Sequence, residues 1–90
     1  MFIVVCYDIS DDRRRTRVSN ILKGFGNRVQ RSVFECDLRP KDFPKLKQRL
    51  SKVLKDDDGL RYYILCSECV SKIEVVSGPP VTQTQLYFVV

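Results

Sequence analysis

The run Phe2-Ile3-Val4-Val5-Cys6-Tyr7 constrains this chain more than any other segment. It is β-branched and aromatic with no polar alternation, so it reads as a central strand buried on both faces. Asp8 ends the run, and Ile9-Ser10-Asp11-Asp12-Arg13-Arg14-Arg15 follows at once. A carboxylate at the exit of a buried strand is held on a rigid element and costs free energy unless a cation meets it. Two readings of Asp8 stand at this point. It holds a divalent metal while the neighbouring arginines hold phosphate, or it forms a structural ion pair with one of them.

The rest of the chain supplies partners for that strand. Asp11 and Asp12 suit a helix N-terminus, with Ser10 or Asp11 as the cap. Val18, Ile21, Leu22 and Phe25 recur at helical spacing, which predicts a helix over 12–24, stopped by Gly24 and Gly26. On this helix Arg14 shares the stripe of Val18 and is expected near the end of the first strand, close to Asp8. Arg13 and Arg17 are expected to face solvent. Over 28–38 the apolar phase slips between Val29 and Phe34, so the segment divides into a short strand at 27–29, a turn at Gln30-Arg31 and a strand at 32–38. Pro40 and Asp42 open a second helix with Phe43, Leu46, Leu50, Val53 and Leu54 on one face, and Lys45, Lys47, Arg49, Lys52 and Lys55 on the other. Asp56-Asp57-Asp58-Gly59 ends it. Strands are expected at 60–66 and again at 73–76.

This order gives an α+β fold of the β-α-β-β-α-β, ferredoxin-like kind, one antiparallel sheet with two helices on one face. The domain is expected to span 1–78. Beyond the stiff Gly78-Pro79-Pro80 break, residues 79–90 read as an additional strand able to pair with a sheet edge of its own chain or of a partner.

Composition narrows the chemistry. A chain of 90 residues buries a smaller fraction of its surface than a larger domain does, which favours oligomerisation. A formal net charge of +5 favours a polyanionic partner, nucleic acid ahead of a membrane. No apolar run reaches membrane-span length and the N-terminus lacks a signal-peptide pattern, so a cytoplasmic protein is expected. The chain has no histidine. That removes the usual general base and every Ser–His or Cys–His pair, so any hydrolysis must use a carboxylate, a metal-bound water, or both. Of the four cysteines, Cys6 and Cys36 sit in strand-like runs and read as small core residues. Cys66-Ser67-Glu68-Cys69 is a lone C-x-x-C, short of the second pair that a zinc site usually has.

Three stretches together carry a resemblance: Tyr7-Asp8-Ile9-Ser10-Asp11-Asp12 with the arginines through Arg17; Gly26-x-Arg28-Val29-Gln30-x-Ser32-Val33-Phe34-Glu35-Cys36; and Asp58-Gly59-Leu60-Arg61-Tyr62-Tyr63. Over about residues 2–78 the chain resembles the Cas-two family of small CRISPR-associated adaptation proteins, which partner the CRISPR integrase. The resemblance implies a ferredoxin-like fold, a twofold homodimer and a C-terminal strand exchanged between protomers. It implies that Asp8 from both protomers binds a divalent metal, Mg2+ or Mn2+, at the dimer interface. It carries the family's helix arginines onto Arg15 and Arg17, its strand arginine onto Arg28 and its aromatic onto Phe34. Family members are described as metal-dependent endonucleases on single-stranded RNA or double-stranded DNA, and as the non-catalytic centre of the integrase complex that acquires new spacers.

These features give three functional readings. The first is a DNA-binding scaffold that works with the integrase subunits. The second is a metal-dependent phosphodiesterase centred on Asp8. The third is a generic RNA-recognition module, which ranks last because Ser32-Val33-Phe34-Glu35-Cys36 lacks the glycines and second aromatic of that motif. The candidate nucleic-acid contacts are Arg13, Arg14, Arg15, Arg17, Arg28 and Arg31. Phe34 and Ser10 are the candidates for positioning a substrate. Phe34 also reads as a core or interface residue. One aspartate is a poor magnesium site, and a twofold axis presenting Asp8 twice would supply the second carboxylate.

Overall fold

The fold is described from a computed structural model covering residues 1–83. The elements are β1 (Phe2–Asp8), α1 (Asp12–Lys23), β2 (Asn27–Gln30), β3 (Val33–Asp37), a 3-10 turn (Pro40–Asp42), α2 (Phe43–Ser51), β4 (Gly59–Leu65) and α3 (Ser67–Ser71). The sheet order is β2-β3-β1-β4, and every neighbouring pair is antiparallel. This is the ferredoxin-like arrangement expected from the sequence, with β1 flanked on both sides.

The period of two in β1 divides its side chains between two faces. Ile3, Val5 and Tyr7 join Phe34 and Cys36 of β3 on the helical face, in one buried cluster with Val18 and Leu22 of α1 and Leu46 and Leu50 of α2. Phe43 closes this core edge-on against Tyr62, with ring centroids 5.2 Å apart. Phe2, Val4, Cys6 and Asp8 alternate to the other face, where β1 pairs Val4 with Glu35 and Tyr63. Val4 and Cys6 are only half-buried and Tyr63 is exposed. The expectation that β1 is covered on both faces is therefore met on the helical side alone. α1 and α2 cover the helical side only.

Local chemistry explains the boundaries. Asp11 caps α1, its side chain accepting the Arg14 backbone N–H at 2.9 Å, and Asp12 and Lys23 match the two ends of the helix dipole. Gly26 follows α1 where its backbone passes over β3. A Cβ there would lie 2.3 Å from the Glu35 carbonyl oxygen and 2.6 Å from the Cys36 sulfur. The phase slip at Val29 is a β-bulge: Arg28 pairs with Phe34 and Gln30 with Val33, which leaves Val29 as the additional residue. The hairpin turn falls at Arg31-Ser32, one residue later than expected.

Two expectations are corrected. The second helix ends at Ser51, although Val53 still reaches the core through a turn closed by its N–H to the Leu50 carbonyl at 3.0 Å. Residues 73–76 form no strand. No ladder joins them to β2 or β4, the outer strands of the sheet, and Val76 is 99% exposed. A short helix, α3, precedes them instead. Beyond Gly78, whose φ of 113° lies in the left-handed region, the chain reaches the β2–β3 side of the open face. There the Thr82 N–H donates to Glu35 Oε1 at 2.9 Å and Asn27 Nδ2 donates to Thr82 Oγ1 at 3.4 Å. Most of the strand expected over 79–90 lies outside the described residues.

Candidate nucleic-acid interface

The C-terminal end of β1 gathers most of the chemistry. Asp8 sits there on the open face, exposed, directly across from Gly59 of β4. The β2–β3 turn reaches the same end, because the Tyr7 N–H donates to the Ser32 carbonyl at 3.1 Å. The neighbouring acids are engaged elsewhere, Asp11 in the α1 cap and Asp12 in an ion pair with Arg15. Among the described residues no group of three or more His, Cys, Asp or Glu side chains is placed to hold a metal ion. One chain thus offers a single carboxylate. That falls short of an all-protein cage, but it suits magnesium bound by one or two carboxylates plus water and phosphate.

Arg14 and Arg15 separate at the first turn of α1. Arg14 forms a two-point pair with Asp58, Nε to Oδ2 at 2.8 Å and Nη2 to Oδ1 at 3.1 Å, and the Asp58 side chain is only 1% exposed. The hydrogen bonds from the Arg14 guanidinium, and after them the Lys55 backbone N–H, hold the Asp58 carboxyl below the usual carboxylate range. Asp58 immediately precedes Gly59, so Arg14 does reach the Asp8 end of the sheet, where Asp58 engages it. The ion pair that the sequence leaves open for Asp8 is made by Asp58. Arg15 turns the other way, donating through Nη1 to the Ile9 carbonyl at 2.9 Å and the Ser10 carbonyl at 3.3 Å. Ser10 thus enters through its backbone, and its side chain is exposed. Arg13 and Arg17 are exposed on the outside of α1.

Between α1 and the β2–β3 hairpin lies a groove of about 640 Å³, lined by Tyr7, Arg15, Thr16, Ser19, Asn20, Lys23, Arg28, Arg31 and Ser32. Four cations line it and no carboxylate does. Arg28 is held in place from two sides: Nη2 donates to Ser19 Oγ, and the guanidinium lies 5.4 Å from the centroid of the Phe34 ring. Phe34 is fully buried and stacks against Tyr7 at 6.3 Å. It supports Arg28 from the core and presents no free face to a base. The sequence reading missed Lys23, Asn20 and Thr16. Their spacing of three and four residues places them on one face of α1, a polar stripe overshadowed by the arginine cluster before it.

On α2, Lys47 lies over Phe43 with Nζ 4.6 Å from the ring centroid, and Arg49 lies over Phe25 at 5.5 Å. The long basic side chains therefore cover apolar rings while keeping their charges in water.

Over residues 1–73 the chain matches the family described as CRISPR associated protein Cas2. The chain belongs to the Cas2 family. It is 42% identical to a CRISPR-associated endoribonuclease Cas2 of Chloroflexus aurantiacus, over 99% of this chain and 100% of that protein. It is also 42% identical to one of Synechocystis, over 92% of each. Among solved structures, Streptococcus pyogenes Cas2 superposes with a TM-score of 0.75 at 30% identity, covering 86% of this chain and 100% of that one. A chain of a partial Cas6-RT-Cas1–Cas2 complex superposes with a TM-score of 0.70 at 26% identity, covering 92% and 98%.

Proposed function

We propose that this chain serves CRISPR adaptation as a homodimeric, duplex-binding scaffold that works with the integrase subunits to acquire new spacers. The observation that carries this reading is the groove of Arg15, Lys23, Arg28 and Arg31, which has four cations and no carboxylate. Such a surface meets phosphates without reading bases, so binding is largely independent of sequence and falls with salt. The half-covered open face of the sheet supports the dimer: Val4, Cys6 and Tyr63 there need a second layer that α1 and α2 do not provide. The complex containing Cas1 and Cas2 among the structural neighbours supports the integrase as partner.

A second reading, metal-dependent endonuclease activity on RNA or DNA, rests on Asp8. A twofold axis on the open face would bring two copies of this exposed carboxylate together. Two carboxylates with phosphate and water suit Mg2+ or Mn2+, which when bound polarises a phosphoryl oxygen and lowers the pKa of water. The relatives' name, endoribonuclease, favours the same reading.

One experiment separates the two. Asp8→Asn keeps the shape and removes the charge. The scaffold reading expects array integration with the integrase to persist in Asp8→Asn while any metal-dependent cleavage is lost. Loss of integration with dimerisation and duplex binding intact would overturn it.

A further inference from the structure

Cys66 and Cys69 take no part in the groove or in the Asp8 end of the sheet. They follow Leu65, which pairs with Phe2, whereas Gly59 at the other end of β4 pairs with Asp8. Cys66 is the N-cap of α3, with extended backbone at φ −73° and ψ 166°, and the Val70 N–H closes the turn onto its carbonyl at 2.9 Å. Cys69 lies one turn on. Cα atoms three residues apart on a helical turn lie about 5 Å apart, inside the roughly 4.4–6.8 Å that a disulfide spans between Cα atoms. The adjacent Cys69, through its backbone and then its thiol, lowers the Cys66 pKa. Both thiols are exposed.

The other two cysteines are set apart from this chemistry. Cys36 is fully buried, and burial pushes its thiol up to about 12. Cys6 is half-buried within β1 and faces the open side of the sheet, while Cys36 pairs with Ile3 and faces the helices. Those two side chains point to opposite faces and cannot meet. An exposed thiolate next to a resolving thiol is the arrangement that oxidises reversibly.

We propose that Cys66 and Cys69 form a reversible dithiol–disulfide site that exchanges with low-molecular-weight disulfides. Oxidised glutathione is the test reagent. The Cys66 thiolate attacks one sulfur of glutathione disulfide, forming a mixed disulfide and releasing one glutathione thiolate. Cys69 then loses its proton to solvent and attacks the Cys66 sulfur, releasing the second glutathione thiolate and closing the Cys66–Cys69 bond. Two electrons pass from the protein sulfurs to glutathione, and the released thiolates take up the protons. The bond closes within a single turn and leaves the sheet untouched. In a reducing compartment such a disulfide is transient, as redox-sensing pairs are.

The test equilibrates the full chain in buffers of graded reduced-to-oxidised glutathione ratio, quenches with acid, alkylates after unfolding and digests with trypsin. Cleavage after Arg61 and Lys72 leaves both cysteines on the peptide 62–72. The expected result is a fall from the four free thiols of the reduced chain to two, with peptide 62–72 lighter by two hydrogens and closed to alkylation. Cys6 and Cys36 stay alkylatable, and dithiothreitol reverses the change. The Cys69→Ser chain is expected to stop at the glutathione adduct on Cys66. Peptide 62–72 remaining reduced at every ratio would overturn the proposal. So would disulfide-linked pairs of chains, or a glutathione adduct on Cys6 in place of the closed pair.

Discussion

At the scale of single residues, position in the sheet separates Asp8 from the arginines around it. Asp8 ends β1 on the open face, while Arg15, Arg28 and the Arg31 turn line the groove on the helical side. Asp8→Asn is therefore expected to abolish metal-dependent cleavage and leave duplex affinity within twofold of wild type, measured by fluorescence anisotropy. A tenfold loss of affinity would show that Asp8 belongs to the phosphate-binding surface. The position of Asp8 was legible in the sequence, because a carboxylate closing an apolar strand stands out against its context. The fate of Arg14 was not. Its partner, Asp58, lies 44 residues away, and a helical wheel gives the direction of a side chain without naming what meets it.

At the scale of elements, two contacts fix how the helices sit on the sheet. The first is the close passage of Gly26 over Glu35 and Cys36. Gly26→Ala forces a methyl group into backbone and is expected to destabilise the fold by about 1–3 kcal/mol, read from urea unfolding. An unchanged midpoint would mean that the α1–β2 connection shifts freely. The second is the Arg14–Asp58 pair, which ties α1 to the residue before β4. Asp58 has a folded-state pKa below its unfolded value. Its contribution to stability is then present above the unfolded pKa, about 3.9, and is lost as pH falls through the folded value. Asp58→Asn should melt below wild type at neutral pH, and the gap should close as pH falls below that of an ordinary carboxylate. A gap unchanged down to the acid limit would contradict the assignment.

α1, α2, β1, β3 and β4 were legible in the sequence because their apolar positions form a helical period or a continuous strand run, whereas β2, with Val29 its one apolar residue, was not legible on that ground. The Val29 bulge showed itself as a phase slip, although the turn position did not. Residues 73–76 read as a strand because Ile-Glu-Val-Val has the composition of one. A strand also needs a ladder to join, and composition does not say whether the chain lays the segment along an outer strand of the sheet.

At the scale of the whole molecule, the open face and the groove carry the functional proposal. Leu46 is fully buried in the core beneath both helices, so Leu46→Ala should cost about 2–5 kcal/mol and lower the melting temperature of the entire domain in one transition. The open face is different: Val4 and Cys6 are half-buried there and Tyr63 is exposed. The measurement that tests the central claim most directly is the salt dependence of duplex affinity for wild type and for the Lys23→Ala, Arg31→Ala double variant. Each phosphate contact adds about 0.9 to the slope of log affinity against log salt. If the groove holds phosphate, the double variant should bind more weakly on every duplex sequence, with a slope lower by about 1.8. Equal slopes and equal affinities for the two proteins would contradict the account.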